Sequence, residues 1–548
     1  MTPLRGVAAA YYKHAGPRLA MAFTAGGLLN LAFAPFEWWS LGLLAPAMLF
    51  ALIRGLPPRR AAATGAAFGL GVYAFGTYWL YTCLHVFGLV PIWLTLLLQA
   101  VLVCILAAYT AALGYVANRL WLKPGAIRDW LVLPALWVLL EWLRGWVLSG
   151  FPWLSLGYAF IDSPLAGWAP LLGVYGVTWA AVAAASGVNV LFGRALGWQR
   201  RLAALAVVVV LCVAPALVLH RAWTEPAGAR IPIAVVQGAV PQNLKWQADN
   251  RDATMARYAR LNEQAWGARL IVWPESAMPV VADEILDYLE NLREQGRAHG
   301  ADLAIGLVDY QASTQRYYNG LLVMSGSGGG GVGGGAATGG GAAAAGAASA
   351  AAASTGAASA AAVSTGAASA AGWYYKRHLV PFGEYFPVPP MIRSWMRLMS
   401  LPYDDFTPGS DHQPTLSAAG QKLGLTICYE DAFGSSQLGI LREATLLINV
   451  TNNAWFGNST APHQHLQIAR MRALEAGRFL IRSTNDGITA VIGPHGGIVA
   501  RLPQFKEAVL HADVQPLTGL TPYARMGNYP VVLGALGVLV FAGWRRRG

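Results

Sequence analysis

Residues 422–434 read KLGLTICYEDAFG. A short aliphatic run, Leu423 to Ile427, ends at Cys428 and passes at once into Tyr429, Glu430 and Asp431. An apolar run of that length closed by a polar cluster is a strand, and the cysteine stands at its end. The chain has four cysteines, and Cys83, Cys104 and Cys212 all lie in long hydrophobic runs. Cys428 alone lies in a stretch polar enough for water. A lone thiol there reads either as an inert, buried small hydrophobe or as a nucleophile. Its surroundings decide between the two.

Working outward, the same pattern recurs. RIPIAVVQG (230–238), ARLIVWPESAMP (268–279), ADLAIGLVDY (301–310) and RYYNGLLVMS (316–325) read as strands. So do GWYYKRHLVPFGEYFP (372–387) up to Lys376, and TLLINVTNNAWFG (445–457). Residues 478–501 read as two strands with a Gly-rich turn. Helical spacing falls over 252–268, 281–299 and 465–478. Alternating strands and helices predict a layered α/β domain. One segment breaks the pattern. Residues 325–371 hold only Gly, Ala, Ser, Thr and two Val over 47 positions, with a ten-residue repeat marked by Gly346, Gly356 and Gly366. Such a composition offers no core, so it predicts a disordered insertion in the turn of a hairpin.

Outside this domain the chain is a different material. Hydrophobic residues are 55% and charged residues 12% of its 548 positions. Seven apolar runs crowd the first 220 residues, near 19–35, 38–53, 61–87, 91–116, 130–146, 166–192 and 202–220, and an eighth covers 529–544. Each reads as a membrane span. The formal charge of +12 raises nucleic acid as a partner. Its distribution rejects that, because residues 221–528 carry 23 basic and 23 acidic residues. The excess sits in five clusters of three: Arg5, Lys13, Arg18; Arg54, Arg59, Arg60; Arg119, Lys123, Arg128; Arg194, Arg200, Arg201; and Arg545, Arg546, Arg547. They alternate with loops near 36–38 and 88–91 that carry no basic residue. The positive-inside rule then puts both ends in the cytoplasm and 221–528 outside it. The first run, following Lys13 and Arg18, reads as a signal anchor rather than a cleaved leader. The expected organisation is a seven-helix transmembrane bundle over 1–220, a catalytic domain over 221–528, and an eighth helix with a basic tail over 529–548.

Three reactive side chains now share one kind of place, the carboxyl end of a strand: Glu275 in VWPES, Lys376 in WYYKRHLVPFGE and Cys428 in LTICYED. That edge of a layered α/β sheet is where ligands bind. A thiolate attacks carbonyl carbon, and an adjacent carboxylate can take its proton and later protonate the leaving group. A lysine ammonium and the N–H of Tyr429 suit a developing oxyanion. Singly, each residue has a bland reading as a solvated strand end or a basic turn. Their order, with PFGE after the lysine and YE after the cysteine, makes chance a poor account.

At this point the chain resembles a family. Glu-Lys-Cys at three strand ends is similar to the nitrilase superfamily of carbon–nitrogen hydrolases. VQGAVPQNLKW, WPESAMP, KRHLVPFGEYFP, ICYED and NVTNNAWFG resemble the membrane-embedded apolipoprotein N-acyltransferase family within it. The resemblance implies an αββα sandwich facing the periplasm from the bacterial inner membrane, beside a polytopic α-helical bundle of about eight spans. It implies acyl transfer from a phospholipid to the N-terminal cysteine of a diacylglyceryl-modified apolipoprotein, by a monomer, with no cofactor or metal. Residue by residue, Glu275 resembles the general base, Lys376 the oxyanion stabiliser, Cys428 the nucleophile and Glu384 a further essential acid. Trp246, Tyr429 and Glu430 match positions tied to substrate handling and site integrity. The insertion departs from the family's pattern and bears on loop geometry rather than chemistry.

Two other readings stand beside this one. A membrane-tethered amidase or nitrilase would use the same triad and let water resolve the thioester. A transporter or scaffold with a dead domain is disfavoured by the intact triad. His463 and His465 in APHQH suggest a metal, but no cysteine or carboxylate joins them at ligand spacing, so they are rejected as ligands. Glu141 and Arg144, near the end of a span, read as an ion pair or as substrate-facing.

Overall fold

The computed structural model describes residues 15–120, 125, 127–192, 197–219, 221–325, 371–385 and 405–545. Residues 326–370 of the expected insertion lie outside them, as do the last two residues of the KRHLVPFGEYFP motif. Helices stand at all eight apolar runs: Ala15–Leu29, Leu41–Ile53, Pro58–Gly76, Ile92–Leu120, Leu133–Arg144, Ala169–Phe192, Trp198–Val213 and Tyr529–Arg545. Among the described residues three segments are long and apolar enough to cross a membrane, Ile92–Leu120, Pro164–Leu191 and Arg201–Leu219. Leu41–Ile53 and Tyr529–Arg545 are apolar but shorter. Large apolar side chains face outward, with Trp93 66%, Leu217 85% and Val540 72% exposed. Apolar surface on that scale demands an apolar surrounding.

Several runs are not the continuous helices that their composition suggests. Run 61–87 breaks after Gly76, where the Thr77 hydroxyl donates to the Tyr73 carbonyl at 2.6 Å, and a separate wide turn forms at Thr82–Phe87. Run 166–192 is interrupted at Gly173, which takes φ +69, a conformation open to glycine. The next N–H, of Val174, leaves the helical ladder and donates to the Glu475 carboxylate at 2.6 Å. Elsewhere glycines bring helices together: a Cβ on Gly65 would fall 2.1 Å from the Thr110 carbonyl oxygen, so only a bare backbone fits.

Among the described residues, beside a two-stranded pairing of Glu225–Pro226 with Leu517–Thr518, the rest of the chain forms two six-stranded sheets. Numbering only their strands, these are β1 Ile231–Gln237, β2 Leu270–Val272, β3 Asp302–Gln311, β4 Arg316–Met324, β5 Ala371–Tyr375, β6 Leu416–Ala418, β7 Gln421–Ile427, β8 Leu446–Thr451, β9 Leu480–Thr484, β10 Ala490–Ile492, β11 Ile498–Arg501 and β12 Ala508–Val514. The first sheet has the order β12-β1-β2-β3-β4-β5 and the second β6-β7-β8-β9-β10-β11. Both repeat one plan. Three parallel strands, β1–β3 or β7–β9, are flanked by one antiparallel strand on one side and two on the other.

Val235, Val272 and Leu321 of one sheet meet Leu425, Ile448 and Ile481 of the other in a shared core. The outer face of the first sheet is covered by helices Arg251–Glu263 and Leu286–His299, through Tyr258, Leu261, Leu289 and Leu292. The helix Ala461–Ala476 covers the second. The layering is therefore helix, sheet, sheet, helix, with the bundle beyond that last helix. Leu466, Ala469 and Ala473 face the sheet, while Ile468, Met471 and Leu474 pack into the bundle core.

The expected helix over 252–268 stops at Glu263, and the one over 465–478 starts earlier, at Ala461, and ends at Ala476 before the left-handed Gly477. Residues 478–501 hold three strands, not two. The turn at Asn485, Asp486 and Gly487 separates two of them, because the Asn485 side chain bonds both the N–H and the carbonyl of Val240 instead of continuing the ladder. Met324 of β4 faces Ala371 of β5 across an antiparallel ladder, the hairpin expected on either side of the insertion.

Candidate active site

The parallel strands of both sheets end at one edge. Glu275 lies just past β2, Cys428 directly follows β7, and Lys376 directly follows β5. Trp273 and Pro274 carry the chain out of β2, and Ser276 then takes φ +45, which turns Glu275 inward. Cys428 itself adopts φ +53. A non-glycine residue held there is strained, and the strain lifts the thiol out of the strand at a sharp turn into Cys428–Ala432.

The structure brings the three expected residues together. Glu275 Oε1 accepts from Lys376 Nζ at 3.3 Å and from Asn319 Nδ2 at 2.7 Å, while its Oε2 accepts the Asn452 N–H at 2.8 Å. Lys376 Nζ also donates to Glu384 Oε1 at 2.8 Å, and Glu384 Oε2 accepts the Val380 N–H at 2.8 Å. Lys376 is 1% exposed. Burial alone would lower its ammonium, but Glu275 and Glu384 hold it charged, well above the ordinary lysine value. Burial would raise the Glu275 carboxyl. Lys376, the Asn319 and Asn452 hydrogen bonds and Lys245 together outweigh that and keep it below the usual range. Desolvation and the neighbouring Glu275 push the Cys428 thiol up to about 12, with Lys376 opposing. The resting group is therefore a thiol beside an ionised carboxylate, a pair with the chemistry of an acid and a base.

Glu430 explains how the lysine and cysteine ends are joined. Its Oε1 accepts the N–H groups of Arg377 at 2.6 Å and His378 at 3.2 Å, and its Oε2 accepts the Ile427 N–H at 2.7 Å and the Tyr374 hydroxyl at 2.9 Å. One carboxylate thus ties the turn after β5 to the turn after β7. Tyr429 points to the bundle. Its hydroxyl donates to the Gly150 carbonyl at 3.3 Å and its ring stacks on Trp153, with centroids 6.2 Å apart. Trp246 is half exposed, at 52%, after the turn Gln242–Lys245.

Glu141 and Arg144 form a buried pair at 3.6 Å. Arg144 Nη1 donates to the carbonyls of Phe151 and Trp153, and Glu141 accepts the Leu156 N–H at 2.7 Å. They brace the loop that seats Trp153 beneath Tyr429.

Sequence reasoning missed two residues here. Asn319 donates both to Glu275 and to Glu384 Oε1, the latter at 2.9 Å. Its signal was an amide inside the apolar strand RYYNGLLVMS. His465, set aside as a metal ligand, lies under the nucleophile. Its Nε2 faces the Cys428 carbonyl at 3.3 Å and Asp431 Oδ1 at 2.9 Å, and its Nδ1 faces Asn453 Oδ1 at 3.1 Å. Arg482 bonds Asp431 Oδ2 at 3.2 Å and Asn449 at 2.6 Å, and Asn449 donates to the same Cys428 carbonyl. His463, two positions away, projects from another side of the helix.

Comparison with known proteins places this geometry. A family model described as carbon–nitrogen hydrolase matches residues 336–523, which include Lys376 and Cys428. Another, described as the apolipoprotein N-acyltransferase N-terminal domain, matches residues 25–187. An apolipoprotein N-acyltransferase of Methylococcus capsulatus is 37% identical over 536 residues, covering 96% of each chain. That of Azotobacter vinelandii is 39% identical over 545 residues, covering 97% of this chain and 96% of its own.

This chain belongs to the apolipoprotein N-acyltransferase family.

It is thus an acyltransferase with a nitrilase-like domain, and the family accounts for the apolar helices alongside it. The helices and the sandwich share the loop 150–156, through Trp153 and Tyr429.

Proposed function

We propose that the protein moves an acyl chain from a membrane phospholipid to the N-terminal α-amine of the diacylglyceryl-cysteine of apolipoproteins, in two half-reactions through Cys428. In the first, Sγ attacks the phospholipid ester carbonyl as Glu275 takes the thiol proton. The C–O bond breaks, Glu275 returns the proton to the alkoxide, and lysophospholipid leaves a thioester on Cys428. In the second, the α-amine attacks the thioester, Glu275 takes the amine proton, the C–S bond breaks, and amide and free thiol result. Lys376 and the Tyr429 N–H stabilise the oxyanion in both halves. Glu384 holds Lys376, Glu430 holds both turns, and Trp246 handles substrate at the mouth.

The observation that carries this reading is what the turn after Cys428 packs against. Tyr429, beside the nucleophile, packs on the bundle rather than on solvent. Leu148, Phe382 and Trp455, on the segments framing it, expose 78%, 46% and 38% of their surface. Apolar surroundings of this kind spare an acyl chain the cost of entering water, about 0.8 kcal/mol per methylene. In this reading residues 1–220 and 529–548 supply eight spans of the bacterial inner membrane, 221–528 forms the periplasmic catalytic domain, and a monomer suffices.

The test is purified protein incubated with phospholipid and no acceptor. A hydroxylamine-sensitive acyl adduct on Cys428 is expected. It should disappear when a diacylglyceryl lipopeptide is added, as an amide-linked chain appears on the peptide. Decay to free fatty acid at one rate with or without lipopeptide would instead assign a membrane-bound hydrolase.

A further inference from the structure

Two carboxylates, Glu275 and Glu384, share one ammonium, that of Lys376. The cluster is one positive charge short, and the chain buries a second lysine against it. Lys245 is 0% exposed. Its Nζ donates to the main-chain carbonyl of Glu275 at 3.3 Å, so it holds the backbone of the residue whose carboxylate Lys376 holds. A fully buried ammonium is costly unless it is used. Resting on the two-step reading above, we infer that Lys245 is the positioning residue of the proposed base: it fixes the Glu275 backbone and supplies the second positive charge, which keeps the protonated Glu275 acidic enough to hand its proton to the leaving alkoxide.

The surroundings leave this role to the Lys245 ammonium. Two charged groups face it, Glu275 from the end of β2 and Asp486 from the turn after β9. Beyond Glu275 lie Lys376 and Glu384. Arg482 is engaged with Asp431, and Arg257 donates to the carbonyls of Gly238 and Ala239. Gln242, Asn452 and Asn485 next to it are neutral amides bonded to one another. Burial lowers Lys245 to about 8, against the pull of Glu275 and Asp486, and burial raises Asp486 to about 6 against Lys245. Between those values both are ionised. As pH rises through about 8, Lys245 loses its charge and Glu275 loses its second cation. The neighbouring Trp246 is half exposed, so one short turn carries an exposed ring beside a charge for the base.

The experiment reads single-turnover formation of the Cys428 adduct from phosphatidylglycerol without acceptor, from pH 6.5 to 9.5. No substrate amine takes part, and the Cys428 thiol at about 12 lies above the window. Wild type is expected to slow on the alkaline side with an apparent pKa near 8. Lys245→Met should be slower at pH 7 by about tenfold, the weight of one pKa unit on the base, and should lack that limb. Lys245→Arg should keep much of the rate and also lack the limb, because guanidinium stays charged. A wild-type rate flat from pH 7 to 9, or a Lys245→Met protein with the wild-type rate and limb, overturns the role of Lys245 while leaving the two-step reading intact. The wild-type profile decides even where a variant does not fold. Absence of any adduct in wild type overturns both.

Discussion

The carboxylate of Glu275, from the first sheet, accepts the main-chain N–H of Asn452, from the second, at 2.8 Å. Glu275 follows β2 and Asn452 follows β8, the middle strands of the two parallel trios. Glu275 is therefore held where the two sheets meet, and any change in their mutual packing is felt at its carboxylate.

Asn319 should behave as part of the acid–base apparatus. Replacing it with Leu removes donors from both Glu275 and Glu384. The Glu275 carboxyl, now held below its usual range, should rise, so the acid limb of kcat/KM should move to higher pH. A loss of about tenfold at pH 7 is expected from one charge-assisted hydrogen bond. An unchanged acid limb in a folded Asn319→Leu protein would reduce the residue to packing.

Thiol chemistry gives a sharper contrast. With Cys428 pushed up to about 12 by desolvation and Glu275, its alkylation by iodoacetamide should rise about tenfold per pH unit from 7 to 9, following the thiolate fraction. Glu275→Gln removes a negative neighbour and so lowers the thiol pKa. Alkylation of that variant should be faster while acyl transfer is lost. Slower alkylation would mean that Glu275 already draws the proton away in the resting site.

His465 should matter through the backbone of Cys428. His465→Phe leaves Asp431 and the Cys428 carbonyl without their imidazole partner. Adduct formation should fall by about tenfold or more, on the scale of a lost hydrogen bond to a charged group, while the fold survives in far-UV circular dichroism. His465→Gln, which can restore a donor, should recover part of the rate. Equal rates for both variants would show that the ring only fills space.

Met324 and Ala371 are ladder partners, so the strands they end can be joined by a two-residue turn. A chain in which such a turn replaces residues 325–370 should retain most of its acyl transfer. Complete loss in a well-folded deletion protein would give the insertion a function of its own.

Gly420, exposed in the turn between β6 and β7 with open space around it, takes a topology label at the cost of modest backbone strain, because its φ is +74. A cysteine placed there should react with an impermeant maleimide from the periplasmic side, and tags at both termini should not. Cytoplasmic labelling at 420 would undo the orientation read from the basic clusters.

The strands carrying Glu275, Lys376 and Cys428 were legible because each is a short aliphatic run ending at a reactive residue, and period and punctuation are local properties. Helix breaks were not. Nothing in run 166–192 announces that Val174 will donate to Glu475, 301 residues away. His465 misled for the same reason, since its partners Asp431, Asn453 and the Cys428 carbonyl come from three segments that only the closed sandwich assembles. Glu141 and Arg144 could be paired from their i,i+3 spacing, but the loop they brace could not be foreseen.

The helix Ala461–Ala476 has no face for water: Leu466 and Ala473 are spent on the sheet, and Ile468 and Leu474 on the bundle. It belongs to both halves at once, which makes them inseparable in the test tube and ordered in the cell. A secreted version of residues 221–528 would expose one flank of that helix as a sticky stripe and precipitate. During synthesis the sandwich cannot finish until the earlier helices are waiting for it. The last helix, Tyr529–Arg545, emerges afterwards and settles against Leu133–Arg144, like a latch drawn across a door already hung.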